Sequence, residues 1–200
     1  MGWRMSEAGR IMTAEAFLDW CLGQDGRWEL VDGVPVAMAG AKQVHDRVVV
    51  NALLALGGQL RGGPCRPTTG DVAIGIPNGN IRRPDLGVDC GRFEPESLTA
   101  TDPRLVIEVL SPSTRTFDAI GKLRDYRRVP GLRHIILVDP DEPRVWHWRL
   151  PEDGPWTALL LEGLDTVIEL PDLSATLALR DLYEGLTFRP RPRPVPEPAA

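Results

Sequence analysis

Three side chains in this 200-residue sequence are typed and spaced for chemistry: Asp85, Glu108 and Lys122. Asp85 follows Pro84 in the run Ile81–Val88, and Glu108 sits in the apolar run Leu105–Leu110. A buried, unbonded polar group costs about 2–7 kcal/mol, and a charge costs more, so a glutamate in such a run needs a partner. A metal ion or a cationic side chain is the usual answer. Paired carboxylates suit Mg²⁺, which prefers oxygen ligands and keeps positions for water and substrate phosphate. The ion lowers the pKa of a bound water and neutralises charge on a phosphoryl group. A lysine beside it can orient that water or stabilise the transition state.

The surrounding elements have to position these groups. In Leu105–Leu110 the side chains alternate, so Val106, Glu108 and Leu110 share one face while Leu105, Ile107 and Val109 share the other. The run is apolar enough to be a central strand covered on both sides. Pro84 cannot donate to a sheet ladder, so the chain beside Asp85 is an edge, a bulge or a break. A helix is predicted over Thr116–Val129, entered through Ser111-Pro112-Ser113-Thr114 and stopped by Pro130-Gly131. At about 100° per residue, Phe117, Ala119, Ile120, Leu123, Tyr126 and Val129 are read as its apolar side, with Lys122 at the edge of that side. Asp118, Arg124, Asp125 and Arg128 are read onto the opposite arc. Lys122 is therefore expected against the sheet rather than in water. The strand at His134–Val138 completes a β-α-β unit, which makes it parallel to Leu105–Leu110.

Elsewhere, Thr13 caps a short helix over Thr13–Cys21. Trp28–Val31, Asp32-Gly33 and Val34–Met38 read as a hairpin. Val44, Val48, Ala52, Ala55 and Leu56 mark a helix over Val44–Leu60. Arg66–Ile76 is one strand or a pair, and Arg144–Arg149, Pro155–Leu161 and Thr166–Leu170 are further strands. Ala178–Leu186 is expected to be a terminal helix. The resulting order is α/β with a mixed sheet flanked by helices. Residues 1–188 read as a single domain, and the Arg/Pro-rich stretch 189–200 as a disordered tail.

Composition narrows the function. A net charge of −5 gives no global attraction to nucleic acid, so a polyanion would need a local patch or a metal. Cys21, Cys65 and Cys90 are far apart and odd in number, which supports neither a disulfide framework nor a zinc knuckle and suits a reducing cytoplasm. No apolar run reaches membrane-spanning length. His134 and His147 lie in apolar strands with nothing to pair them into a metal site, and Trp146 and Trp148 read as packing.

The segments WELVDG, RRPDLGV, LVIEVLSPST and HIILVDP, with Lys122 downstream, resemble the PD-(D/E)xK nuclease superfamily. They are most similar to a large bacterial family of restriction-endonuclease-like proteins. The likeness runs from about Thr13 to Leu186. One departure stands out: the superfamily lysine belongs two residues after the glutamate, where this chain has Leu110. The resemblance implies that this lysine has migrated to the following helix, at Lys122. It further implies a restriction-endonuclease-like fold and a Mg²⁺-dependent endonuclease acting on DNA, with Mn²⁺ able to substitute, working as a cytoplasmic homodimer. Asp85, Glu108 and the carbonyl of Val109 would be the metal ligands, and Lys122 the catalytic cation. Glu29 matches a hairpin glutamate that joins the metal shell, and His45 matches a histidine at a helix start. The bland alternatives are specific. Glu108 could be half of an ion pair with Lys122, Asp85 a turn acid, Glu29 a surface hairpin residue, and His45 a polar residue of a first helical turn. The whole protein could also be a catalytically inactive binding or assembly module on a nuclease fold.

Overall fold

A computed structural model describes residues 11–110 and 117–188. Helix α1 (Ala14–Cys21) starts where Thr13 places its hydroxyl 3.2 Å from the Ala16 amide, a side-chain N-cap. Strands β1 (Trp28–Val31) and β2 (Val34–Ala37) form the expected hairpin. Asp32 and Gly33 both take positive φ, 50° and 81°, as a two-residue turn of this hand requires. Helix α2 (Gln43–Leu60) buries Val48, Ala52, Leu56 and Leu60 at helical spacing. Then come β3 (Arg66–Thr69), β4 (Ile74–Gly75), β5 (Ile81–Arg82), β6 (Leu86–Asp89) and β7 (Pro103–Val109). Helix α3 (Phe117–Tyr126) leads to β8 (His134–Asp139), β9 (Arg144–Arg149), β10 (Thr157–Glu162), β11 (Val167–Leu170), β12 (Ala175–Ala178) and α4 (Leu179–Leu182).

The main sheet has six strands in the order β10-β9-β8-β7-β6-β3. β7 and β8 are parallel, pairing Leu105 with His134 through Val109 with Val138, and α3 makes the crossover. The other neighbours are antiparallel, so the sheet is mixed. A second sheet, β2-β1-β5-β4, carries the hairpin, and β11 pairs with β12. The alternation along β7 divides the core. Leu105, Ile107 and Val109 pack with α2, β12 and α4, while Val106 and Leu110 pack with Tyr126, Leu132 and Leu137 on the other side. Glu108 lies on this second face.

Four expectations change. Ile81–Val88 is two strands, because Arg83-Pro84-Asp85 breaks the ladder and the halves join different sheets. The expected terminal helix over Ala178–Leu186 shrinks to one turn of α4, since Ala178 closes β12 and the chain leaves the helix at Tyr183, turning through Gly185 at φ 77°. On α3, Asp125 is fully buried and Ile120 is 64% exposed, the reverse of the expected assignment. Cys65 and Cys90 form a disulfide, because the pairing of Arg66 with Asp89 brings the two cysteines opposite each other, their Cα atoms 4.0 Å apart. Among the described residues, no helix is long and apolar enough to cross a membrane. The expected helix entry at Ser111–Thr114, the residue Thr116 and the expected disordered tail 189–200 lie outside the described residues.

Candidate active site

The break at Pro84 is where the two sheets hand over the chain. β5 pairs with β1 through Ile81 and Leu30, and β6 begins its pairing with β7 at Leu86 and Ile107. The Val109 amide lies beyond that ladder. Asp85 Oδ2 accepts its N–H at 2.7 Å, so a side chain replaces the missing strand. The same oxygen lies 3.1 Å from His45 Nε2, in the first turn of α2. Since a carboxylate only accepts, that nitrogen carries the proton. The hydrogen bond to Asp85 is the main reason the His45 pKa is raised above its ordinary value.

Glu108 faces α3. Lys122 Nζ lies 3.2 Å from both of its oxygens, and the Tyr126 hydroxyl, one turn further on, donates to Oε1 at 2.6 Å. Burial pushes the Glu108 carboxyl up to about 7, against the pull of Lys122 and with a further push from Asp85 and Glu29. Burial and the nearby Glu108 also raise the Tyr126 phenol, which stays protonated as a donor.

Glu29 is buried, not a surface residue of the hairpin. Its Oε1 is 3.1 Å from Lys122 Nζ and accepts the Arg83 N–H at 2.9 Å. Its Oε2 accepts from Arg82 at 3.0 Å. Arg82 in turn donates to Asp125 Oδ2 at 2.8 Å, and Asn80 donates to the same oxygen at 2.9 Å. This chain of contacts joins β1, β5 and α3 behind Lys122. Asp125, Arg82, Asn80 and Tyr126 were not among the residues singled out from sequence. Their signal was spacing: Asn80, at the end of the turn, and Arg82 in β5 stand two residues apart and reach the same side, and Asp125 and Tyr126 stand three and four residues from Lys122, on the same side of a helix.

All the selected residues meet in one cleft of about 580 Å³, which Glu29, His45, Asp85, Glu108, Val109 and Lys122 line together. Leu110, at the usual lysine position, contributes to its apolar wall with Val36, Met38 and Leu137. Among the described residues no three His, Cys, Asp or Glu side chains converge as a ready-made ion cage. The donor set nevertheless fits Mg²⁺, which needs only one or two carboxylates when water and substrate oxygens complete its shell. The crowding of Asp85 and Glu29 that raises Glu108 is what a bound cation would relieve. His134 and His147 are paired after all, at 2.9 Å, with Asp172 3.1 Å from the outer nitrogen of His134. They lie on the opposite face of the sheet from Glu108, since His134 shares its face with Ile136 and Val138.

Comparison with known proteins agrees with this architecture. The chain is 32% identical over 179 residues to an uncharacterized protein of Synechocystis, slr1290, an alignment that spans 88% of this chain and 94% of that one. A second uncharacterized Synechocystis protein, sll1609, is 28% identical over 164 residues, spanning 80% and 93%. In structure the chain is similar to a crystallised putative nuclease of the DUF820 group from Anabaena variabilis. The TM-score is 0.67 at 18% identity, covering 86% of this chain and 97% of that one, so the two share a fold. The family pattern of Uma2, described as "Putative restriction endonuclease", matches residues 14–180. The chain belongs to that family.

Proposed function

We propose that the protein is a Mg²⁺-dependent endonuclease that hydrolyses DNA phosphodiester bonds, with Mn²⁺ as an alternative ion. The observation that carries this reading is the contact of Lys122 with both oxygens of Glu108 in the cleft that Asp85 also lines. Asp85, Glu108 and the Val109 carbonyl are the groups that would hold the ion. When bound, the ion supplies charge neutralisation on the phosphoryl group and a more acidic water. Lys122 supplies the second positive charge, placed from α3 to donate to a phosphoryl oxygen or to the attacking water. Glu29 acts here as the residue that aims Lys122, held in turn by Arg82 and the Arg83 amide. Tyr126 holds one Glu108 oxygen in place. With a net charge of −5, DNA is held locally rather than by a general field. Two sites cutting two strands call for a homodimer, which sedimentation would read.

The test is nicking of supercoiled plasmid by purified protein in Mg²⁺ or Mn²⁺, beside Glu108→Ala prepared identically. Nicking by the wild type and not by the variant is the expected result. Equal activity in the two preparations, or activity unaffected by chelator, would overturn the proposal.

A further inference from the structure

We infer that His45 is a positioning residue, which determines the Asp85 oxygen presented to the cleft. This rests on the reading above, in which Asp85 is an ion ligand. Asp85 sits in the break between β5 and β6, so the ladder that steadies its neighbours does not reach it. Its carboxylate is instead gripped from two elements. The Val109 N–H comes from the end of β7 at 2.7 Å, and His45 Nε2 from the start of α2 at 3.1 Å. Both meet Oδ2. Among the described residues no other polar group bonds to this carboxylate, which leaves Oδ1 as the oxygen for an incoming ligand.

One hydrogen bond would leave the carboxylate able to swing about its terminal torsion, which is broad and two-fold. Two donors on one oxygen, from two different elements packed in one core, remove that freedom. The placement of His45 is firm because α2 is 18 residues long and anchored by Val48, Ala52 and Leu56 in the core. The neutral ring with hydrogen on Nε2 is sufficient for this role, so no change of charge is involved. The arrangement corresponds to the outer partners that orient metal-binding side chains, whose loss typically weakens binding about 10–100-fold.

The experiment is calorimetric titration of Mn²⁺ into the full-length protein as wild type, His45→Ala and His45→Gln, with thermal unfolding of each. Glutamine can place its amide N–H near where Nε2 stands. The expected result is Kd raised about 10–100-fold in His45→Ala and restored to within about threefold of wild type in His45→Gln, with Tm unchanged in both. A wild-type Kd in His45→Ala would overturn the inference and leave the endonuclease reading standing. A Gln variant as weak as Ala would also overturn it, since that marks His45 as a ligand in its own right. No Mn²⁺ binding by the wild type would overturn both.

Discussion

At the scale of single residues, Glu108 is held at a cost. Burial moves its carboxyl from 4.5 to about 7, so the folded protein binds its proton more tightly than the unfolded chain does. The sign follows: this group favours folding below pH 4.5 and loses that contribution as pH rises through 7. Glu108→Gln removes the charge and keeps an oxygen for the Tyr126 hydroxyl, while Lys122 retains Glu29. Removing one partner of a buried ion pair usually destabilises because it strands the other charge. Here Lys122 keeps Glu29, so the substitution removes the desolvation cost of Glu108 without stranding a cation. The expected outcome is a urea midpoint at pH 8 equal to or above wild type, with nicking reduced by about 100-fold or more. A lower midpoint would show that the Glu108–Lys122 attraction outweighs the cost of burial. Asp85 and Glu108 were legible as acids out of place in apolar runs. Tyr126 was not, because a tyrosine at helical spacing reads as packing until the carboxylate it serves is located.

At the scale of elements, α3 shows why hydrophobic periodicity misled. Its buried side carries Lys122, Asp125 and Tyr126. Two of these three are charged, and a pattern search for apolar residues assigns such a face to solvent. The geometry alone placed Asp125 about 60° from Lys122, on the same side. It is buried because Arg82 and Asn80 reach it from β5 and the preceding turn. The break between β5 and β6, by contrast, was announced by Pro84. The single turn of α4 was overestimated because Leu179, Leu182 and Leu186 keep helical spacing after the chain has left a strand. The Arg82 guanidinium fastens β1 to α3 through Glu29 and Asp125, both buried. Arg82→Met would leave two buried carboxylates without it. The expected loss is about 3–5 kcal/mol by urea unfolding, the usual result of removing one partner from a buried ion pair. A loss under about 1 kcal/mol would mean that Asn80 and Lys122 hold the network unaided.

At the scale of the whole molecule, the β-α-β unit and the mixed sheet were legible from period and order, whereas contacts set by register were not. The cysteines looked unrelated in sequence, and strand pairing made Cys65 and Cys90 neighbours. Likewise His134 and His147 meet because Ile136 pairs with His147 across β8 and β9. That pair acts on stability against Glu108. Burial lowers both histidines, His147 from 6.5 to about 4, so the unfolded chain binds more protons than the folded one in this range. Each contributes fully above pH 6.5 and loses that contribution as pH falls, His147 towards 4. Glu108 moves the other way over nearly the same interval, by a similar displacement. His147 offsets Glu108 and His134 acts in the same direction as His147, so wild-type stability from urea unfolding should fall between pH 6.5 and 4. In Glu108→Gln the opposing group is gone, so the decline should be steeper, and the gap between variant and wild type should close as pH approaches 4.5. Parallel curves for the two proteins would separate Glu108 from the pH dependence. A wild-type curve that rises into acid would show that the Asp172–His134–His147 chain takes up a proton without loss.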